Sequence, residues 1–152
     1  MKKVIKLILI ILWITMIFCF SSQKGTSSSN LSNGLIYKVT SYITGSKVSN
    51  KEKVVLSNKY SKFVRKMAHF SVYLILGVLV ISFISEFNIK RRYLLAVILC
   101  IFYALTDELH QYFVSGRSCE LLDVLLDSAS SFLGVLFYKF IISIKKRAWY
   151  RQ

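Results

Sequence analysis

The chain has 152 residues, of which 55% are hydrophobic and 18% charged, and its mean hydropathy is +0.53. Soluble domains run at about 45–50% apolar and about 25% charged, and with no Pro and only 6 Gly the composition excludes a turn-rich β-sandwich or barrel, a disordered chain, a secreted disulfide scaffold and an ordinary soluble enzyme. The net charge of +14 is large enough to suggest nucleic acid. However, the Lys and Arg residues flank apolar blocks as membrane anchors do, so no nucleic-acid partner is expected.

The first apolar block, 4–20, follows Lys2 and Lys3. No small-x-small cleavage site follows it, and Met16-Ile17-Phe18 before Cys19 is not a lipobox, so it reads as an uncleaved membrane helix rather than a signal peptide. The linker after it opens with a Ser/Asn/Gly-rich stretch, Ser21 to Gly34, that reads as flexible. Leu35, Ile36, Val39, Tyr42 and Ile43 then recur at helical spacing, which predicts a short amphipathic helix on the outer membrane interface. Val54-Val55-Leu56 and Phe63-Val64 predict a second helix running into the next span.

The second block, 67–87, is entered through Arg65-Lys66 and left through Lys90-Arg91-Arg92. The third, 93–113, is apolar only as far as Leu105. Thirteen apolar residues are too few to cross a bilayer, so the polar run from Thr106 to Gln111 must lie partly within the membrane thickness. The fourth, 124–144, ends at Lys145-Lys146-Arg147. The expectation is one all-α integral membrane domain over 1–152, with about four transmembrane helices and an outer interfacial helical linker. Lys2-Lys3, Lys90-Arg91-Arg92 and Lys145-Lys146-Arg147 must share one side in a four-span chain. By the positive-inside rule that side is the cytoplasm of a cell-membrane protein, with both termini there and 21–64 and 115–122 outside.

The charge distribution then points to a site. Five of the seven acids lie between 107 and 127, where Arg117 is the only Lys or Arg. Helical rise converts positions to depths. Asp107 lies about 22 Å above the Arg92 anchor, Asp127 about 27 Å above Lys145, and His69 about 6 Å below Arg65. Three helices thus bring ionisable groups to the outer third of a ~30 Å hydrocarbon layer. Arg65, His69 and Tyr73 form one stripe, Asp107, His110 and Gln111 a second, and Asp123, Asp127 and Ser131 a third.

Intramembrane charges of this kind face the bundle interior and mark either function or obligatory pairing. One reading is a lock that joins three helices through buried ion pairs; the other is a site that binds or processes a polar group. The surplus of acids favours the site. Its candidate binding residues are Arg65, His69, Tyr73, Asp107, Glu108, Gln111, Arg117, Asp123 and Asp127. Asp107, Glu108, His69 and His110 are the candidates for acid–base catalysis. Arg65 and Arg117 are expected to pair with the acids through their planar forks, while Lys66, rotated about 100° from Arg65, is expected to serve as an interface anchor.

No HxxxH or HExxH spacing occurs, so no metal and no cofactor are expected. Cys19, Cys100 and Cys119 form no CxxC. Cys100 reads as a small core residue, and a Cys19–Cys119 bridge stays an open alternative to free thiols. Oligomeric state is open.

Four stretches carry a resemblance: Phe20-Ser21-Ser22-Gln23, Arg65 through Tyr73, Ala104 through Arg117, and Asp123-Val124-Leu125-Leu126. In combination they resemble the VanZ-like family of bacterial membrane proteins, over nearly the whole chain. The chain departs from that family's frequent Asn at Asp127, Gly at Ser130 and Pro at Ser115. The resemblance implies a cell-envelope protein in contact with membrane lipids and a role in resistance to the glycopeptide teicoplanin. Its partners would be a lipid-linked cell-wall precursor or the glycopeptide itself. An intramembrane enzyme acting on a lipid-linked or other envelope substrate is the alternative.

Overall fold

The structure, a computed structural model, describes residues 1–46, 48–117 and 120–149. Five helices form it: α1 (Lys2–Ser21), α2 (Gly25–Thr44), α3 (Asn50–Ile84), α4 (Arg92–Tyr112) and α5 (Leu121–Trp149), with no strand among the described residues. All but α2 are long and apolar enough to cross a membrane. The predicted spans fall on these four helices, with ends that differ by a few residues.

Between 17% and 33% of the most apolar window of each is buried inside the fold. Leu12, Phe102 and Phe140 are more than half exposed. Water tolerates so much contiguous apolar surface poorly; the hydrocarbon of a bilayer covers it at no cost. Cys100 is buried, as expected, and Cys19 is an exposed free thiol. Cys119, and with it the alternative bridge, lies outside the described residues.

Helix α3 is the axis and packs against the other four, most extensively against α5. That contact is backbone-close: a Cβ added at Gly77 would overlap the Ser131 carbonyl, and one at Gly134 would overlap the Leu74 carbonyl. Small residues are how membrane helices gain van der Waals contact where lipid supplies no hydrophobic drive. Tyr73, Leu76 and Ile81 of α3 and Cys100 of α4 are buried beside this seam. Helix α1 is fixed by two polar bonds to main-chain carbonyls: Trp13 Nε1 donates to Val72 O at 2.9 Å, and Tyr103 Oη donates to Ile14 O at 3.0 Å.

The basic clusters gather at one end of the bundle. Lys6 pairs with Glu86 and donates to Ser82 O at 3.0 Å. Lys3 lies 4.5 Å over the Phe87 ring, and Lys139 lies 5.6 Å over Tyr93. The Lys6 hydrogen bond, reinforced by the charges of Lys6, Lys2 and Lys3, holds the Glu86 carboxyl below its ordinary range.

The linker departs from expectation. Ser21 to Gly34 is not a flexible stretch, because α2 begins at Gly25 and runs unbroken to Thr44. Ser28 and Ser32 are buried against the fold, and an added Cβ at Gly25 would overlap the Gly116 carbonyl. Small side chains lower intrinsic helix propensity but permit the close approach, and tertiary packing decides. Helix α2 ends at Gly45, whose φ of +64° is the left-handed conformation that closes a helix.

The second linker helix does run into the next span. Helix α3 is continuous over 35 residues, about 52 Å at 1.5 Å per residue, well beyond a bilayer's hydrocarbon. A capping box starts it: Ser49 Oγ accepts from Glu52 N, and Glu52 Oε2 accepts from Ser49 N at 2.8 Å. Tyr37 Oη of α2 donates to Lys53 O at 3.2 Å, so α2 folds back on the projecting half of α3.

Gly134→Val and Gly77→Val are expected to push α3 and α5 apart, costing roughly 1–3 kcal/mol each. Gly34→Ala, whose Cβ would meet nothing within 4 Å, should stabilise by about 0.5–1 kcal/mol. Thermal melting of the detergent-purified chain checks both, and equal melting points for all four proteins would refute the seam.

Candidate functional site

The centre of the polar cluster is Asp107 on α4. It is 3% exposed, and its Oδ2 accepts three hydrogen bonds from three helices. Ser21 Oγ at the end of α1 donates at 2.9 Å, Tyr73 Oη of α3 at 2.9 Å, and Gln111 Nε2, one turn along α4, at 3.0 Å. Three donors thus converge on one carboxyl oxygen, which joins α1, α3 and α4 at this point. Gln111 is itself oriented, because its Oε1 accepts from Arg117 Nη1. Arg117 also donates from Nη2 to Phe20 O at 3.3 Å. A guanidinium in the α4–α5 loop thus sets the amide that faces Asp107.

Around this centre the other acids are engaged separately. Asp127 of α5 is 2% exposed, and its Oδ2 lies 3.6 Å from His69 Nδ1. The His69 and Tyr73 rings stack with centroids 6.5 Å apart. Glu108 Oε1 accepts from the Glu120 backbone N–H at 2.7 Å and fastens the loop to α4. Asp123 Oδ1 lies 2.5 Å from Lys66 Nζ, and Glu120 Oε2 lies 3.5 Å from the same ammonium.

Above the cluster is a cavity of about 180 Å³. Lys62, Arg65, Lys66 and His69 of α3 and Gln111 of α4 form one side of it. Gly116, Arg117 and Glu120 of the loop, with Asp123 and Leu126 of α5, form the other. Burial, and next the like charge of Arg65, pull the Arg117 pKa below its ordinary value, against the opposing pull of Asp107, Glu108 and Asp123.

Every residue of this cluster lies within residues 6–143, the stretch that matches the VanZ/LLP1 family. The chain belongs to that family. No curated protein and no solved structure matches it.

Most of the sequence-derived candidates of this VanZ/LLP1 chain converge: His69, Tyr73, Asp107, Gln111, Arg117 and Asp127 form one network or its lining, with Arg65 and Asp123 on the cavity wall. Glu108 meets the loop instead of the cavity. His110 faces α1, where its Nε2 lies 3.0 Å from Ser22 Oγ and its ring stacks on Phe18 at 4.5 Å. It thus lies apart from the His69–Asp127 pair.

One expectation is reversed. Asp123 and Glu120 pair with Lys66, and neither Arg65 nor Arg117 makes an ion pair among the described residues. The reason is helical phase. Lys66 precedes Gly77 by eleven residues, three full turns, so it lies on the face that packs on α5, where Asp123 opens the helix. Arg65 and His69 lie on the neighbouring face, over the cavity. Sequence reasoning also missed Ser21 and Glu120. Ser21 sits one residue past the apolar run of α1, where a hydroxyl at the end of a span is a ready hydrogen-bond donor.

Lys66→Met is expected to lower stability by about 1 kcal/mol, and Arg65→Met to leave it unchanged within error. Tyr73→Phe keeps the volume of a fully buried ring but removes one of the Asp107 donors, at a cost of about 1–3 kcal/mol. Melting of the three purified variants checks the order; an Arg65→Met variant less stable than Lys66→Met would restore the original assignment.

Proposed function

We propose that this membrane protein binds the phosphate-bearing headgroup of an envelope lipid, such as a lipid-linked cell-wall precursor, in the cavity above Asp107. The observation that carries the reading is the pair Arg65 and Arg117. Both line the cavity and feel one another's charge, and neither has a carboxylate within ion-pair distance among the described residues. The Nε of Arg117 is buried without a partner. Two guanidinium groups side by side repel unless an anion lies between them, and the planar fork matches phosphate oxygens. Lys62 adds a further cation at the wall.

On this reading the cavity opens to the outer leaflet of a bacterial cell membrane, with both termini cytoplasmic. A contribution to teicoplanin resistance then follows from changing how much headgroup is free at the outer surface. Native mass spectrometry of the detergent-solubilised chain with undecaprenyl diphosphate or with phosphatidylglycerol tests this. Retention of one polyprenyl diphosphate per chain is expected. Arg65→Gln and Arg117→Gln should each weaken it at least tenfold, and Lys38→Gln, an exposed lysine of α2, should not. Equal retention by all variants would sink the reading, and equal retention of both lipids would reduce it to general phospholipid binding.

A second reading, an intramembrane enzyme on the same substrate class, is favoured by His69 held against Asp127 at the cavity wall, an arrangement suited to general acid–base catalysis. Recovery of the lipid intact after incubation supports binding; loss of a phosphate that stops in Asp127→Asn supports catalysis.

Orientation has its own test. In a chain whose native cysteines are replaced, Asn30→Cys should react with an impermeant thiol reagent in intact cells and Arg91→Cys should not. The reverse pattern would put the cavity on the cytoplasmic side.

A further inference from the structure

Beneath the cavity, three helices bring one more arrangement together. His69 of α3, Asp107 of α4 and Asp127 of α5 each present a ligand atom, and these atoms lie within 4.8 Å of one another. We propose that His69, Asp107 and Asp127 form a binding site for a divalent transition-metal ion, of the zinc or manganese class. The inference stands apart from the headgroup reading, which rests on Arg65 and Arg117.

Unused donors are the first support. Asp107 Oδ1 and Asp127 Oδ1 are both buried and have no hydrogen-bond partner, on side chains 3% and 2% exposed. A carboxylate oxygen stranded in this way is costly, and the cost is larger for an ionised group. Ser21, Tyr73 and Gln111 all spend their donors on Oδ2 of Asp107. That arrangement turns one oxygen toward the protein and leaves the other for a ligand, as hydrogen bonds orient metal-ligating carboxylates.

Charge is the second support. Two buried carboxyl groups beside an imidazole at membrane depth suit a divalent cation, whose charge neutralises both carboxylates as it binds. The surrounding cations do not do this work: Lys66 is engaged with Asp123 and Glu120, and Arg117 reaches Asp107 only through Gln111.

Donor chemistry is the third. One imidazole nitrogen and two carboxylate oxygens form a mixed set that suits zinc, with the fourth position open, and that manganese also accepts. His69 lines the cavity, so the site adjoins it. Calcium, which takes six to eight oxygens, is a poor match for three donors that include a nitrogen.

The test uses the full-length chain in detergent, stripped with a chelator and then exposed to Zn²⁺, Mn²⁺ or Ca²⁺ alone. Isothermal titration and elemental analysis should give about one Zn²⁺ or Mn²⁺ per chain, Zn²⁺ binding tighter, and no stoichiometric Ca²⁺. His69→Ala and Asp127→Asn should each weaken Zn²⁺ binding at least tenfold, and His110→Gln should leave it unchanged. Should the site variants fail to fold, the wild-type chain still decides. Zn²⁺ should raise its melting temperature, and Co²⁺ in its place should give a visible absorption band that Zn²⁺ displaces. A stripped wild-type chain that takes up no ion, or one whose uptake persists in both His69→Ala and Asp127→Asn, overturns the proposal. Phosphate-lipid retention measured in the same chelated sample separates this outcome from failure of the headgroup reading.

Discussion

The arrangement depends on one buried carboxylate. Asp107 lies where three helices meet, and its Oδ2 accepts from α1, from α3 and from its own helix. A carboxyl group at that depth is tolerated only where protein surrounds it and supplies hydrogen bonds. The requirement works outward from there. Ser21 must end α1 at this level, Tyr73 must be fully buried in α3, and Gln111 must turn its amide inward. Arg117 fixes that amide, and Arg117 in turn is placed by a bond to Phe20 O. The loop at 113–117 is therefore an extension of the solvation of Asp107. Glu108, accepting from the Glu120 N–H, ties α4 to the residue before α5.

The same geometry divides labour among the cations. Lys66 holds the first turn of α5 by pairing with Asp123 and Glu120. A compact ammonium suits that task, since it must reach two carboxylates without a fixed fork. Arg65, one residue earlier, is turned by a helical step onto the cavity and makes no ion pair among the described residues. The cluster is therefore neither a pure lock nor a pure site. The α3–α5 side is locked by Lys66 and the glycine seam. On the side between α3, α4 and the loop, Arg65 has no ion pair among the described residues, and the Nε of Arg117 and one oxygen each of Asp107 and Asp127 have no hydrogen-bond partner.

Much of this was legible in the sequence, and the failures are specific. Depth follows from counting helical rise inward from Arg65, Arg92 and Lys145, and that count brings Asp107, Asp127 and His69 to one level. Rotation is harder. Counting from Arg65 alone assigned Arg65 to the acids, because nothing in a single stripe says which face meets α5. Gly77, three turns after Lys66, and Gly134 of α5 mark that face, and a stripe counted back from Gly77 would have found Lys66. The linker failed for another reason. Ser, Asn and Gly between 21 and 34 score as flexible by composition, yet the burial of Ser28 and Ser32 and the approach of Gly25 to Gly116 make smallness an asset. The Ser49-x-x-Glu52 box was a readable start signal for α3. The convergence of His69, Asp107 and Asp127 has no linear signature, because each comes from a different helix and metal motifs are recognised by spacing within one segment.

Helix α2 gives the projecting part of the fold a mechanical role at the site. Its first residue, Gly25, donates its N–H to Ser115 O at 3.2 Å, and the Gly25 and Gly116 backbones touch. That contact is adjacent to Arg117, on the loop that solvates Asp107. At its other end α2 lies on α3 through Tyr37 and Lys53, and α3 continues without a break to Arg65, Lys66 and His69. The hairpin is thus joined to both walls of the cavity, to the loop through Gly25 and to α3 by continuity. A displacement of α2 along α3 would move Ser115 and Gly116 relative to Arg65, changing the separation of Arg65 and Arg117. The packing that converts a Ser-rich linker into a helix is therefore also what holds the cavity at its width.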